Sequence, residues 1–179
     1  DLLEFASSRS GRKQRPLLEF DPARLVRQAI ERSEDSIRAA RMSLETEICD
    51  QVPPVAGDPE SLSRAIMNLI GNAVRHASAG GWLRVELRPS PDGREILISV
   101  ADRGSGIPSR DLRRIFLPFE RGAETTMKQI RGAGIGLSLV QEIMEEHRGR
   151  VTVESHRGQG SRFTLHLPAA GDAGGKKGS

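Results

Sequence analysis

Asn68 and Asn72 stand four residues apart in Ala65-Ile-Met-Asn-Leu-Ile-Gly-Asn-Ala73, so on a helix their amides lie on one face, a turn apart. Asn is a poor helix former, and two of them in an otherwise apolar run ask for a reason beyond folding. A wet, half-exposed helix face is the plain alternative. Asp102-Arg-Gly-Ser-Gly-Ile-Pro108 offers a carboxylate straight after an apolar run. When ionised it only accepts hydrogen bonds, so an exocyclic amine such as adenine's is a suitable donor. Gly104 and Gly106 would let a flat ring approach the backbone, although an Asp-Gly turn after a strand is also common. Arg131-Gly-Ala-Gly-Ile-Gly-Leu137 places small residues and free amides where a helix begins, and such ends bind phosphate.

These groups need elements to hold them. Asp21-Pro22 gives an N-cap with proline just inside, and Leu25, Val26, Ala29, Ile30 and Ile37 recur at helical spacing, which predicts a helix over about 22–40. Leu44, Thr46 and Ile48 alternate with Glu45 and Glu47 as in a strand. The Pro-rich stretch 51–58 reads as a connection ending in the cap Asp58, and the asparagine helix follows over about 59–77. On it Leu62, Ile66, Leu69, Ile70 and Ala73 make an apolar stripe, with Arg64, Asn68, Asn72, Arg75 and His76 on the other side. A hairpin pairs Leu83–Leu87 with Ile96–Ala101, the second strand running into Asp102. A short helical stretch is expected near 109–116 and a helix over about 134–147. Val151–Ser155 and Arg162–Leu167 should pair across Gly158-Gln-Gly160. Helices and hairpins in this order predict an α+β fold: a two-layer α/β sandwich, with a mixed five-stranded sheet covered on one face by about three helices.

The glycine segment follows a loop rather than a strand, so a Rossmann reading fails on context. No Gly-Lys-Ser or Gly-Lys-Thr follows it, so a P-loop fails too. At 179 residues and 19.5 kDa one domain is expected over residues 17–168. Residues 1–16 read as a linker and the end of an upstream helix, and 169–179 as a disordered tail. The chain starts at Asp1 without an initiator Met, which suggests a piece of something longer. A single cysteine, Cys49, excludes an internal disulfide framework and suits a reducing, cytoplasmic setting. Net charge is +3 with pI near 9.6, which raises nucleic acid as a partner. With no Tyr, one Trp and five Phe the stacking platforms for single strands are lacking, and the Arg residues are interspersed with acids. No nucleic-acid partner is expected. No signal-peptide pattern and no apolar run long enough to span a bilayer appear in these residues, so no membrane contact by this segment is expected.

Taken together, Asn68-Leu-Ile-Gly-Asn72-Ala, Asp102-x-Gly-x-Gly106, Ile115-Phe-Leu-Pro-Phe119, Gly132-x-Gly-x-Gly136-Leu and Gly158-x-Gly-Ser161-x-Phe resemble the ATP-binding domain of bacterial sensor histidine kinases, of the Bergerat superfamily. The resemblance covers about residues 20–168. It implies ATP and Mg²⁺ as cofactors, with Asp102 reading the adenine amine beside Gly104, Gly106 and Ile107. Asn72 with Asn68 would hold magnesium against the triphosphate. Arg75 and His76 would lie beside the phosphates. Gly132, Gly134, Ile135, Gly136 and Leu137 would form the phosphate cradle at the helix start, and Ser161 would support the adenine end. Residues 120–133 would be a mobile lid anchored by Phe116 and Phe119. In it Arg121, Lys128 and Arg131 are candidates to neutralise the γ-phosphate, with Asn68, Arg75 and Arg131 closest to catalysis.

The implied partners are a dimerising, phosphoacceptor helical domain of the same parent protein and a downstream response regulator, in two-component signalling. Arg103 departs from the family's usual Asn. None of the four histidines sits in a phosphoacceptor setting. Members of the superfamily that hydrolyse ATP carry Glu or Asp four residues before the magnesium-binding Asn, as a base for water. Asn68 occupies that position here, so transfer to a partner histidine is expected over hydrolysis. A regulatory nucleotide-binding module without transfer and a gyrase-type ATPase are the other readings.

Overall fold

The computed structural model describes residues 18–117 and 136–170. In chain order these form β1 (Leu18–Phe20), α1 (Pro22–Glu31), α2 (Glu34–Ala39), β2 (Ser43–Ile48), β3 (Val55–Gly57), α3 (Pro59–Ala77), β4 (Trp82–Pro89), β5 (Glu95–Asp102), α4 (Gly136–Glu146), β6 (Arg150–His156) and β7 (Gly160–Pro168). The five-stranded sheet has the order β2-β4-β5-β7-β6. Strand β2 runs parallel to β4 and every other pair is antiparallel. The α+β sandwich with a mixed five-stranded sheet is therefore the fold.

Alternation explains the layering. Leu83, Val85 and Leu87 of β4, Ile96, Ile98 and Val100 of β5, and Phe163, Leu165 and Leu167 of β7 turn toward the helices and are buried. They meet Leu62, Ile66, Leu69 and Ile70 of α3 and Val140, Ile143 and Met144 of α4. Each such side chain, fully buried, stabilises by about 1.5–3 kcal/mol, against roughly 0.6 kcal/mol of helix propensity lost at each Asn. Burial wins on α3 by a wide margin. The opposite face of the sheet is polar: Arg84 pairs with Glu47 and Glu86, Arg162 with Glu86, and Arg150 and His166 with Glu95.

Helix starts follow the sequence. Asp21 accepts the Ala23 amide at 2.8 Å and Asp58 the Glu60 amide at 3.1 Å, each with proline in the first helical turn. The single helix expected over 22–40 is instead two. Ser33 donates its hydroxyl to the Ala29 carbonyl at 2.8 Å, and its amide bonds to Ile30 rather than Ala29. This tightens and ends α1. The expected helical stretch near 109–116 is a run of turns, with the amides of Asp111, Arg114 and Leu117 bonding three residues back. So short a segment gains too little to nucleate a helix.

Two elements escaped the sequence reading. Strand β1 pairs with β3, Phe20 opposite Val55 and Leu18 opposite Gly57, the first in a stretch given no element and the second in the Pro-rich connection. Ala169 and Ala170, read as the first residues of a tail, are held against the domain. Ala169 is buried and its amide bonds to Arg94, while the Ala170 amide bonds to Pro54. Among the described residues no helix is long and apolar enough to cross a membrane.

His147, past the end of α4, ties that helix to the start of α3. Its Nε2 accepts the Asp58 amide at 2.9 Å, and Nδ1 lies 2.6 Å from the Ile143 carbonyl. An amide only donates and a carbonyl only accepts, so the ring is the Nδ1–H tautomer. A Cβ added at Gly57 would sit 2.3 Å from the ring Cδ2. Gly57→Ala is therefore expected to lower unfolding stability by about 1–3 kcal/mol in urea titration. Combined with His147→Ala, which opens the space, the loss should fall below the sum of the two single losses. Strict additivity would mean that the ring does not hold this slot.

Candidate functional site

The polar side of α3, the loop that follows β5, the start of α4 and the first residues of β7 converge on one region. On α3, Asn68 is half-buried. Its Nδ2 donates to the Arg64 carbonyl at 3.1 Å, which leaves Oδ1 facing outward, 3.3 Å from where a Cβ on Gly136 would lie. Arg75 folds back along the helix. Its Nη2 is 3.4 Å from Asn72 Oδ1, and its guanidinium lies 3.5 Å from a Cβ built on Gly71 and 3.9 Å from one on Gly136. Partial burial lowers the Arg75 pKa, yet a guanidinium stays protonated at neutral pH. Asn68, Arg75 and Gly136 are thus one cluster, made by α3 packing along α4.

Asp102 ends β5, with Leu83 on one side and Ser161 on the other in the sheet register. Its Oδ1 accepts the Gly104 amide at 2.8 Å. Burial pushes its pKa above the ordinary 3.8, opposed by the Gly104 and Ser161 amides and by His76. His76 has its pKa lowered by burial first and by Arg75 next, with Asp102 pulling it up. It therefore lies in the field of the carboxylate as well as of Arg75, and is not solely a companion of Arg75. From Asn68 to Ala77, which touches Gly104, α3 runs about 13 Å.

The loop after Asp102 is clamped on both sides. A Cβ on Gly104 would meet Ala77 at 2.7 Å, and one on Gly80 would meet the Arg103 carbonyl oxygen at 2.0 Å. Gly106 has φ of +66° and packs on the His156 carbonyl, where a Cβ would come within 2.0 Å, so only glycine fits. The Ile107 amide donates to Ser155 Oγ at 2.8 Å, and Gly158 donates to the Ser105 carbonyl at 2.6 Å. Ser161 Oγ is 3.0 Å from Ser155 Oγ.

Of the residues singled out in the sequence, Asn68, Asn72, Arg75, His76, Asp102, Gly104, Gly106, Ile107, Gly136 and Ser161 border this region. Leu137 and Phe116 pack at the edge of the core. Phe119, Arg121, Lys128, Arg131, Gly132, Gly134 and Ile135 lie outside the described residues. One end of the region thus offers a carboxylate and backbone groups. The other offers a cation, side-chain amides and a helix start, a set suited to an elongated ligand with a hydrogen-bond donor at one end and anionic charge at the other.

A family model described as "Histidine kinase-, DNA gyrase B-, and HSP90-like ATPase" matches residues 57–171. The chain belongs to that ATPase family. Within it, the chain is 39% identical over 168 residues to the alginate biosynthesis sensor protein KinB of Pseudomonas aeruginosa, covering 94% of this chain and 27% of KinB. The fold matches full-length ShkA, crystallised in complex with AMPPNP, with TM-score 0.80 and 27% identity, over 94% of this chain and 34% of ShkA. It also matches the nucleotide-free catalytic domain of histidine kinase ThkA, with TM-score 0.74 and 26% identity, over 87% of this chain and 97% of that domain. The fold of this ATPase-family chain is that of a histidine-kinase catalytic domain. The chain spans about a quarter of the length of KinB.

Sequence reasoning passed over Trp82, Gly80 and Ser155 at this ATPase-family site. Arg103 stacks on Trp82, 4.3 Å from the ring centroid, a contact worth about 0.5–1 kcal/mol at an exposed position. Neither residue type signals the other across the sheet. Gly80 makes the close approach to Arg103 described above. Ser155 is buried, and here a signal existed: Val151 and Val153 set an alternation in which position 155 should be apolar.

Proposed function

We propose that this chain binds ATP with magnesium and presents the γ-phosphate to a histidine on a helical hairpin of its parent protein, as the kinase step of two-component signalling. The reading rests chiefly on one observation: Asn68, Arg75 and the start of α4 at Gly136 meet in one cluster, while Asp102 holds an acceptor at the far end of the same helix face. Asp102 would accept from the adenine amine, with Gly104, Gly106 and Ile107 shaping the backbone against the ring and Ser161 beside it. Arg75, Gly136 and the glycines before it would hold the phosphates, and His76 would lie between the two ends. Arg121, Lys128 and Arg131 would supply further positive charge toward the γ-phosphate.

Magnesium fits the donors present. Asn68 Oδ1 and Asn72 Oδ1 are hard oxygen ligands, and among the described residues the Asn72 oxygen is engaged only by the long 3.4 Å contact from Arg75. Among the described residues no group of three or more His, Cys, Asp and Glu could hold a metal. That suits an ion bound mainly through phosphates and water, with one or two protein oxygens. When bound, it neutralises phosphate charge. Asn68 has no basic oxygen to take a proton from water at neutral pH, so the chain supports transfer rather than hydrolysis. A soluble, cytoplasmic placement and docking to a response regulator belong to the same proposal.

The test has two arms. ATP binding and hydrolysis are measured on this chain alone, and then the parent's helical hairpin is added and acid-labile phosphohistidine is assayed. Binding without turnover, with label appearing only on the hairpin, is the expected result. Sustained hydrolysis by the chain alone would favour a gyrase-type ATPase. Binding with no label on the hairpin would favour a regulatory module.

A further inference from the structure

The buried hydroxyl of Ser155 sits at the junction of the two segments that form the Asp102 end of the site. Three polar atoms surround it: the Ile107 amide nitrogen at 2.8 Å, the Gly160 carbonyl oxygen at 2.8 Å and Ser161 Oγ at 3.0 Å. A serine hydroxyl has one proton to donate and two lone pairs to accept with. The Ile107 amide only donates, so it takes one lone pair. The Gly160 carbonyl only accepts, so it must receive the proton; a lone pair held against it at that distance would repel. Ser155 can then meet Ser161 only as acceptor, and Ser161 must donate its own proton inward. Ser161 Oγ is left with lone pairs alone. It lies opposite Asp102 in the sheet register, and the ionised carboxylate of Asp102 is likewise acceptor-only.

We propose that Ser155 is a positioning residue that sets base specificity: by fixing the proton of Ser161 inward, it leaves the Asp102 end of the site lined with acceptors. Such an end favours a base carrying an exocyclic amine and disfavours one carrying a carbonyl at the same place. The proposal rests on the nucleotide-binding reading above. Without the Ser155 hydroxyl, the Ser161 proton is free to turn outward and meet a carbonyl. The Ile107 amide and the Gly160 carbonyl lose their partner at the same time. The base-end loop then loosens.

The probes are the magnesium complexes of ATP and of inosine triphosphate, which differ at this base position by amine against carbonyl, titrated calorimetrically into the whole chain. The wild-type chain is expected to prefer ATP by about 100-fold. Ser155→Ala is expected to weaken ATP binding and to narrow that preference about tenfold, from loss of one hydrogen-bond arrangement. Ser161→Ala, which leaves the Ile107 and Gly160 bonds intact, should also narrow it, and it decides the matter should Ser155→Ala not fold. A purely structural role would lower stability and leave the ATP-to-ITP ratio where it was. An Asp102→Ala control separates the two levels. If it loses ATP binding while both serine variants keep the wild-type ratio, the Ser155 inference is overturned and the site reading stands. If it binds ATP like the wild type, the site reading fails and the inference falls with it.

Discussion

Asp102→Ala is expected to weaken ATP binding about 100-fold while the domain stays folded. In the proposed function the carboxylate would be the charged acceptor at the base end of the site, held in place by the Gly104 amide at 2.8 Å. Hydrogen bonds to charged groups contribute about 1.5–3 kcal/mol, and partial burial limits competition from water. Folding does not depend on the carboxylate in the same way. Burial is the largest influence on Asp102 and raises its pKa, so the ionised form is destabilised in the native state relative to the unfolded chain.

That direction sets the pH dependence. Above the raised native pKa the ionisation cost is fully present. As pH falls through that value toward the ordinary 3.8, the native state takes up the proton first and the wild type gains stability relative to Asp102→Ala. ATP affinity runs the other way, because protonation removes the charged acceptor, and it should decline at a higher pH than an ordinary carboxylate would give. Paired unfolding and binding titrations of the two proteins check both slopes. Parallel stability curves would show that Asp102 titrates alike in both states.

Asn68→Glu is expected to turn the isolated chain into an ATPase, with hydrolysis about 100-fold above the wild-type background. The position faces Gly136 beside Arg75, where the proposed function would put the phosphates, and a carboxylate there would supply the base that an amide cannot. A 100-fold change corresponds to about 2.7 kcal/mol of barrier. The substitution gives up the Nδ2 bond to the Arg64 carbonyl, but Glu is the better helix former, so little stability should be lost. Phosphate release by the purified variant is the readout. A variant that binds ATP and releases no more phosphate than the wild type would show that Asn68 is not what withholds hydrolysis.

Most of the architecture was legible because its signals are local. The caps Asp21-Pro22 and Asp58-Pro59, the apolar stripe on α3, the alternation in β4 and the continuous apolar run of β5 each lie within one element, and each formed as read. What failed was weak or non-local. Strands β1 and β3 span three residues each, too short for an alternation to show. The break at Ser33 depends on a hydroxyl choosing a carbonyl one turn back, which spacing does not reveal.

The candidate site divides the same way. The sequence by itself determined which residue types were on offer: an acceptor at Asp102, amides at Asn68 and Asn72 in place of a base, and glycines where the backbone must come close. It determined this because residue chemistry and helical or strand period are carried by neighbours in the chain. Only the tertiary structure decided the company these residues keep. His76 lies in the field of Asp102, Gly136 against Asn68 and Arg75, Arg103 on Trp82, and Ser155 between Ile107, Gly160 and Ser161. Those contacts join residues far apart in sequence, brought together by sheet register and helix packing, and the direction of the Ser161 proton follows from a count of donors and acceptors that exists only once they meet.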